Sequence, residues 1–273
     1  RTHLFQAEPR TPDYFGCPDR RRPPSRFQPV PFMFWLIDAL RPRRFVELGT
    51  HSGVSYCAAC QAVDLLGFDC STYAVDTWKG DEHAGFYGED IFADLAGHHD
   101  PRYSSFSRLV RSTFDEAVGH FEDGSIDLLH IDGLHHYEAV RHDFETWRPK
   151  LAANAVVLFH DTNVRERDFG VFRLWSELSA EHRHFEFLHG HGLGVLATGD
   201  SYPEAVEGLL VAGADESRCE EVRTMFAHLG RAVDQRAAAA QALRQAEANA
   251  MARSADIRAI ITAAFPQGQD AVR

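Results

Sequence analysis

Asp132-Gly133-Leu134-His135 and His160-Asp161-Thr162-Asn163 are the stretches of this chain best equipped for chemistry. Each follows an apolar run, Ile126 to Ile131 for the first and Val156 to Phe159 for the second. Short apolar runs between turn signals read as buried strands, so each acid stands at a strand's carboxyl end. Neighbouring parallel strands lie about 4.8 Å apart, close enough for Asp132 and Asp161 to face one small volume. Two carboxylates there repel unless a cation sits between them. An oxygen-rich pair with spare coordination positions suits Mg²⁺, which keeps waters and accepts a substrate's oxygens, with Mn²⁺ as an alternative.

A second pair of acids points to a nucleoside. The strand-like run Arg44-Phe45-Val46-Glu47-Leu48 passes into Gly49-Thr50-His51-Ser52-Gly53 and then a helix; a second run ends Tyr73-Ala74-Val75-Asp76. Asp76 offers two acceptor oxygens, enough for both hydroxyls of a ribose. Gly49 and Gly53 fall short of the three glycines that let a backbone approach a pyrophosphate, which disfavours a dinucleotide. The pattern resembles motif I and the ribose acid of class I S-adenosylmethionine (SAM) methyltransferases. That resemblance implies a turn at Gly49 presenting N–H groups to the methionine end. It implies Gly53 packing the helix start close, and Glu47 reaching the SAM amino group directly or through water. Thr50 and Ser52 would add hydrogen bonds, Thr77 and Trp78 would follow the ribose acid, with Trp78 stacking on adenine, and Ser112 would neighbour the adenine.

These residues need a parallel sheet to position them. Strand-like runs at 45–48, 72–76, 107–111, 126–132, 155–160, 185–188 and 194–198 alternate with helical segments over the first five. Such alternation predicts an α/β, Rossmann-like seven-stranded sheet, mostly parallel, with helices on both faces. His189-Gly190-His191-Gly192-Leu193 separates the last two runs at hairpin spacing, so one strand is expected to run antiparallel. Glu47, Asp76, Asp132 and Asp161 then all fall at strand carboxyl ends, where open sheets of this kind bind ligands. The sequence divides into an irregular Arg/Pro-rich arm over 1–31, the sheet domain over 32–214, and a helical connector or coiled-coil segment over 215–273, a route to a homo-oligomer.

Asp-Gly-x-His-x-Tyr at Asp132–Tyr137, followed by the His160-Asp161-Thr162 strand end, resembles the metal-dependent sugar O-methyltransferases of macrolide and aminocoumarin tailoring and relatives labelled cephalosporin hydroxylases. The resemblance covers about residues 30–199. It implies Asp132 and Asp161 as metal ligands, Asp132 also beside the cofactor, His135 as general base, and a hydroxyl of a sugar, glycan or glycosylated small molecule as methyl acceptor. The family's second pair is acid–acid or Asp–Asn, and here it is His160-Asp161. An imidazole suits Zn²⁺, Mn²⁺ or Fe²⁺ better than Mg²⁺, so His160 either binds a different metal or orients Asp161.

The formal net charge of −12 argues against a general nucleic-acid binder. Five scattered cysteines suit a reducing cytoplasm. No apolar run reaches the roughly 20 residues of a membrane helix. The start Arg1-Thr2-His3 reads as a cut from a longer chain. Cys57 and Cys60 form a CxxC pair inside the first crossover helix, read as buried thiols rather than zinc ligands. Thr77 to Gly88, polar, glycine-rich and aromatic, is a candidate lid, and Asn163 to Asp168 a second rim. His130 reads as a hydrogen-bonded core histidine, and Glu138, Arg141 and Asp143 as a solvated helix face. A non-catalytic module of this fold, serving oligomerisation in a larger glycan-assembly protein, is the alternative to the enzyme.

Overall fold

The computed structural model describes residues 30–166 and 168–264. All but the last two residues of the expected arm, with Cys17, and the end of the expected connector lie outside the described residues, as does Arg167 of the second rim.

Seven strands build the main sheet: β1 (Arg44–Leu48), β2 (Ser71–Asp76), β3 (Ser107–Arg111), β4 (Ile126–Ile131), β5 (Leu151–His160), β6 (His184–Phe187) and β7 (Leu193–Ala197). Their order is β3-β2-β1-β4-β5-β7-β6, with β7 antiparallel to both neighbours and the other pairings parallel. This is the expected Rossmann-like sheet with its single antiparallel strand, each strand within a few residues of its expected bounds. The helices are α1 (Val30–Leu40), α2 (Val54–Leu66), α3 (Glu89–Tyr103), α4 (Phe114–Ala117), α5 (Tyr137–Trp147), α6 (Val171–Glu181), α7 (Glu204–Gly213) and α8 (Glu216–Ala264). A two-stranded hairpin pairing Gly80–Asp81 with Gly85–Phe86 stands where the sequence suggested only a loop.

Side chains alternate across the strands and fill a core on each face. Phe45, Leu128, Val156 and Leu158 pack toward α1, α2, α3 and α7. Val46, Leu129, Ile131, Val157 and Phe159 pack toward α5 and α6. Strands buried on both sides read as the near-continuous apolar runs that made them visible in the sequence. The strand order reverses at β1, whose two neighbours are reached by crossovers in opposite directions. A crevice therefore opens at the carboxyl ends of β1 and β4.

Two compact units divide the chain between Asp234 and Gln235. In the first, the opening turns of α8 bury Cys219 and Phe226, the Phe226 ring lying 5.4 Å from Phe32 and 5.5 Å from Phe187. The second holds the rest of α8, whose Leu243, Met251, Ile257, Ile260 and Ile261 are exposed. Among the described residues no helix is long and apolar enough to cross a membrane. Cys57 and Cys60 are free, buried thiols, and burial pushes the Cys60 thiol up to about 11, as a packed rather than reactive sulfur requires.

Candidate active site

A cavity of about 880 Å³ lies along the carboxyl edge of β1, β2, β4 and β5. Its first wall is the β1–α2 turn. Gly49 has φ +85°, and a Cβ there would sit 2.1 Å from the Asp132 carbonyl oxygen. Only glycine lets the chain leaving β1 pass so close to the chain leaving β4. Thr50 and Ser52 are buried and line the cavity, and Thr50 Oγ1 has no hydrogen-bond partner among the described residues. Asp76 closes this wall: Oδ2 accepts from the His51 N–H at 2.8 Å and Oδ1 from the Trp78 N–H at 2.7 Å. Burial raises its carboxyl above the ordinary value, and the backbone donors work against that rise.

Several expected cofactor residues stand elsewhere. Trp78 is 1% exposed, donates its indole N–H to the His51 carbonyl and meets Phe92 edge-on, so it belongs to the core and does not cover the cavity. Ser112 is outside the lining; Thr113, Phe114 and Asp115, one to three residues on, form that wall. Glu47 is outside it as well. Glu47 and His130 are register partners on adjacent strands, on one face of the sheet, and the carboxylate meets His130 Nδ1 at 2.8 Å. The wall residue on that face is therefore His130, with Glu47 behind it. Asp143, expected on a solvated face, is 8% exposed and lines the cavity; burial raises its carboxyl to about 7. Thr77 lines the cavity as expected.

The same cavity holds the cluster the sequence singled out. Asp132 follows β4, with its N–H donated to the Leu48 carbonyl at 2.8 Å. His160 ends β5, and Asp161 follows with φ 61°, a left-handed backbone fixed by its N–H to the Gly192 carbonyl at 3.0 Å. A non-glycine residue in that region stores strain, and such strain is concentrated at functional sites. His135 Nε2 lies 3.0 Å from Asp161 Oδ2 and 3.4 Å from Asp132 Oδ1. His160 Nδ1 lies 2.9 Å from Asp161 Oδ1 and 3.3 Å from Asp132 Oδ1. Phe169, a residue sequence reasoning missed, stacks on the His135 ring at 4.6 Å and 16°. His83, from the hairpin, lies 4.4 Å from Phe169 and 5.6 Å from His135, ring to ring. Glu82 of the same hairpin holds His136 Nε2 at 2.7 Å. His191 reaches to 3.7 Å from Asp161 because glycines with positive φ flank it at the tip of the β6–β7 turn. The flanking glycines were visible in the sequence, but the fold had to bring that tip to β5.

Burial opposes charge on all four central groups, and their mutual attraction overcomes it. Burial would lower His135, but hydrogen bonds and charge from Asp132 and Asp161 raise it to about 9. Burial would raise both carboxyls, yet the imidazoles hold them below the usual carboxylate range. Linkage fixes the sign of the pH dependence in metal-free protein. The His135 contribution is fully present below about 6.5 and is lost as pH rises through 9; the carboxylate contributions are lost only on the acid side, below about 3.8. Chelator-treated protein is therefore expected to melt on the order of 5 °C lower at pH 9.5 than at pH 7. His135→Ala should flatten that slope. Melting that is independent of pH across this interval would contradict the ionised cluster.

The sheet in this strand order, with its cavity at the carboxyl edge, is the Rossmann-like arrangement the sequence led one to expect. Residues 46–162 match the family model described as a methyltransferase domain. Over 200 residues the chain is 50% identical to the uncharacterized protein y4gI of Sinorhizobium fredii, a match covering 73% of this chain and 22% of that one. The chain thus spans about a fifth of the length of the curated relative it matches. The crystal structure of cofactor-bound Rv0187 from MTB superposes with a TM-score of 0.50 at 15% identity, covering 70% of this chain and 87% of that one, a likeness of fold. The O-methyltransferase TomG from Streptomyces achromogenes, in complex with SAM, superposes at 0.48 with 12% identity over 63% of this chain and 79% of that one.

Proposed function

We propose that this domain transfers the methyl group of SAM to a hydroxyl of a sugar, glycan or glycosylated small molecule, assisted by a divalent cation. One observation carries the reading: Asp76 and the Asp132–His135–Asp161 cluster line the same cavity.

The residues fit both absent groups. For SAM, Thr50 Oγ1 is an unpartnered buried oxygen in the wall, and the Asp76 carboxylate keeps lone pairs beyond the two it gives to backbone N–H groups. For a cation, the ligand atoms of Asp132, His135 and Asp161 lie within 4.8 Å of one another, and Asp161 Oδ1 is buried without a hydrogen-bond partner among the described residues. A bound dication there lowers the pKa of a coordinated hydroxyl and fixes its oxygen. Asp132 and Asp161 would hold that ion, while Asp76 would take the ribose hydroxyls of SAM.

His135 has the arrangement of a general base. The carboxylates hold its Nε2 and fix the ring at the cavity, where the neutral imidazole can accept a proton from the acceptor's hydroxyl. The ionised carboxylates stabilise the imidazolium that results. Phe169 and the hairpin carrying Glu82 and His83 cover the ring and limit water. That rim, hydrogen-bonding groups beside an aromatic ring, suits a hydroxylated acceptor.

Calorimetric titration with S-adenosylhomocysteine tests the cofactor assignment. Micromolar binding is expected, and Asp76→Ala should weaken it by about 10–100-fold, the loss of hydrogen bonds to a charged acceptor. If the protein does not bind, the methyl-transfer reading falls; an unchanged affinity in the variant removes Asp76 from the site.

A further inference from the structure

The cluster at the ends of β4 and β5 has three close contacts that are not aligned as hydrogen bonds: His160 Nδ1 with Asp161 Oδ1 and with Asp132 Oδ1, and His135 Nε2 with Asp161 Oδ2. His160 Nδ1 and Asp161 Oδ1 are 2.9 Å apart, yet neither has a hydrogen-bond partner among the described residues, because the two are not aligned as donor and acceptor. His135 Nε2 is also unaligned with Asp161 Oδ2 at 3.0 Å, but it has a hydrogen bond to Asp132 Oδ1 at 3.4 Å, whereas His160 Nδ1 is buried with none among the described residues. Close, unaligned atoms of this kind are what two ligands of one ion look like. With bonds of about 2.1 Å, neighbouring ligands stand about 3.0 Å apart in an octahedron and about 3.4 Å apart in a tetrahedron. The 2.9 Å and 3.3 Å that separate His160 Nδ1 from Asp161 Oδ1 and Asp132 Oδ1 fall close to those spacings. Asp161 is 6% exposed, so its unpartnered oxygen has no access to bulk water to satisfy it. His191, at 3.7 Å from Asp161, is beyond that spacing and is not counted among the ligands.

We infer that Asp132, Asp161 and His160 form a mixed oxygen–nitrogen centre that takes a first-row transition dication in preference to Mg²⁺, with His160 Nδ1 as the selecting ligand. The inference rests on the reading of this cavity as a methyl-transfer site and deepens it by naming the class of metal. Mg²⁺ takes oxygen ligands and holds its waters, so an imparted imidazole gains it little. Mn²⁺, Fe²⁺, Co²⁺ and Zn²⁺ accept imidazole nitrogen readily, and their affinities rise along that series up to copper before falling at zinc. The two carboxylates supply the charge that any dication needs, and the imidazole supplies the discrimination. His160 lies on the face of the sheet that carries Glu47 and His130, its ring 6.4 Å from that of His130, so strand register fixes where it stands. His135 keeps its separate place as the base, held by a hydrogen bond.

The test uses the full chain, stripped by chelator and divided among titrations with MgCl₂, MnCl₂, CoCl₂ and S-adenosylhomocysteine. Co²⁺ is expected to bind about 100-fold more tightly than Mg²⁺ and to develop visible d–d absorption on binding. His160→Ala should weaken Co²⁺ by about tenfold or more while leaving Mg²⁺ within a few fold, erasing most of the selectivity. Where His160→Ala fails to fold, His160→Asn carries the same comparison, and the wild-type selectivity decides by itself. Equal affinity for Mg²⁺ and Co²⁺ overturns the inference. So does Co²⁺ binding that survives His160→Ala but is lost in His135→Ala. S-adenosylhomocysteine binding without binding of any dication overturns the centre and leaves the methyl-transfer reading standing. Selective Co²⁺ binding without S-adenosylhomocysteine binding supports the centre and removes that reading.

Discussion

Replacing His135 by alanine should lower turnover by about 10²–10⁴-fold, the range for losing a positioned general base, while S-adenosylhomocysteine affinity changes little. The ring's contacts are with Asp132, Asp161, Phe169 and His83, none of them on the Thr50–Asp76 wall. The loss should therefore appear in kcat. The wild-type pH profile gives an independent check. In metal-free protein His135 titrates near 9, so most of it is protonated at neutral pH and cannot accept a proton. A dication between the carboxylates competes with that proton, so added metal should move the rising limb of the profile toward lower pH. The assay follows demethylated product over a panel of sugar and glycan acceptors. Full turnover in His135→Ala with an intact fold would remove the base assignment.

Asp161→Asn separates charge from backbone strain at the same site. Asparagine tolerates the left-handed conformation that Asp161 adopts at φ 61°, so the turn after β5 survives the substitution. What disappears is the negative charge between His135 and His160. Dication affinity is expected to fall by about 100-fold and kcat/KM by about 10²–10³-fold, since the cation's hold and the base's orientation both rest on this carboxylate. Metal-free protein should also melt lower at neutral pH, because two buried imidazoles lose a counter-charge. Wild-type turnover together with wild-type metal affinity would show that Asp132 and Asp161 do not share an ion.

The residues that sequence reasoning brought to the cavity are mostly those whose positions follow from strand ends. Asp76, Asp132, His160 and Asp161 needed only the knowledge that apolar runs become parallel strands and that their carboxyl ends share an edge, whereas His135 was singled out by the resemblance of Asp132–Tyr137 to a known motif. Gly49 was legible for a related reason, since a glycine between a strand and a helix marks a close approach, here to the chain leaving β4. Trp78 was misplaced because aromatic residues in a polar, glycine-rich segment look alike whether they cover a pocket or plug a core. Its backbone N–H to Asp76 and its packing on Phe92 decided for the core. Glu47 was misassigned by one layer, because pairing with His130 depends on which strand lies beside β1.

By itself the sequence determined the alternation of strands and helices, the antiparallel last turn and the acids at the strand ends, because period and punctuation are local properties of a chain. The tertiary structure alone decided which distant segments meet. It set the hairpin at residues 80–86 near His135, brought Phe169 onto that ring, carried His191 to Asp161 and buried Asp143 in the cavity wall. These contacts join segments far apart in sequence. Crossover geometry and side-chain packing fix them, and neither leaves a pattern within a short window of residues.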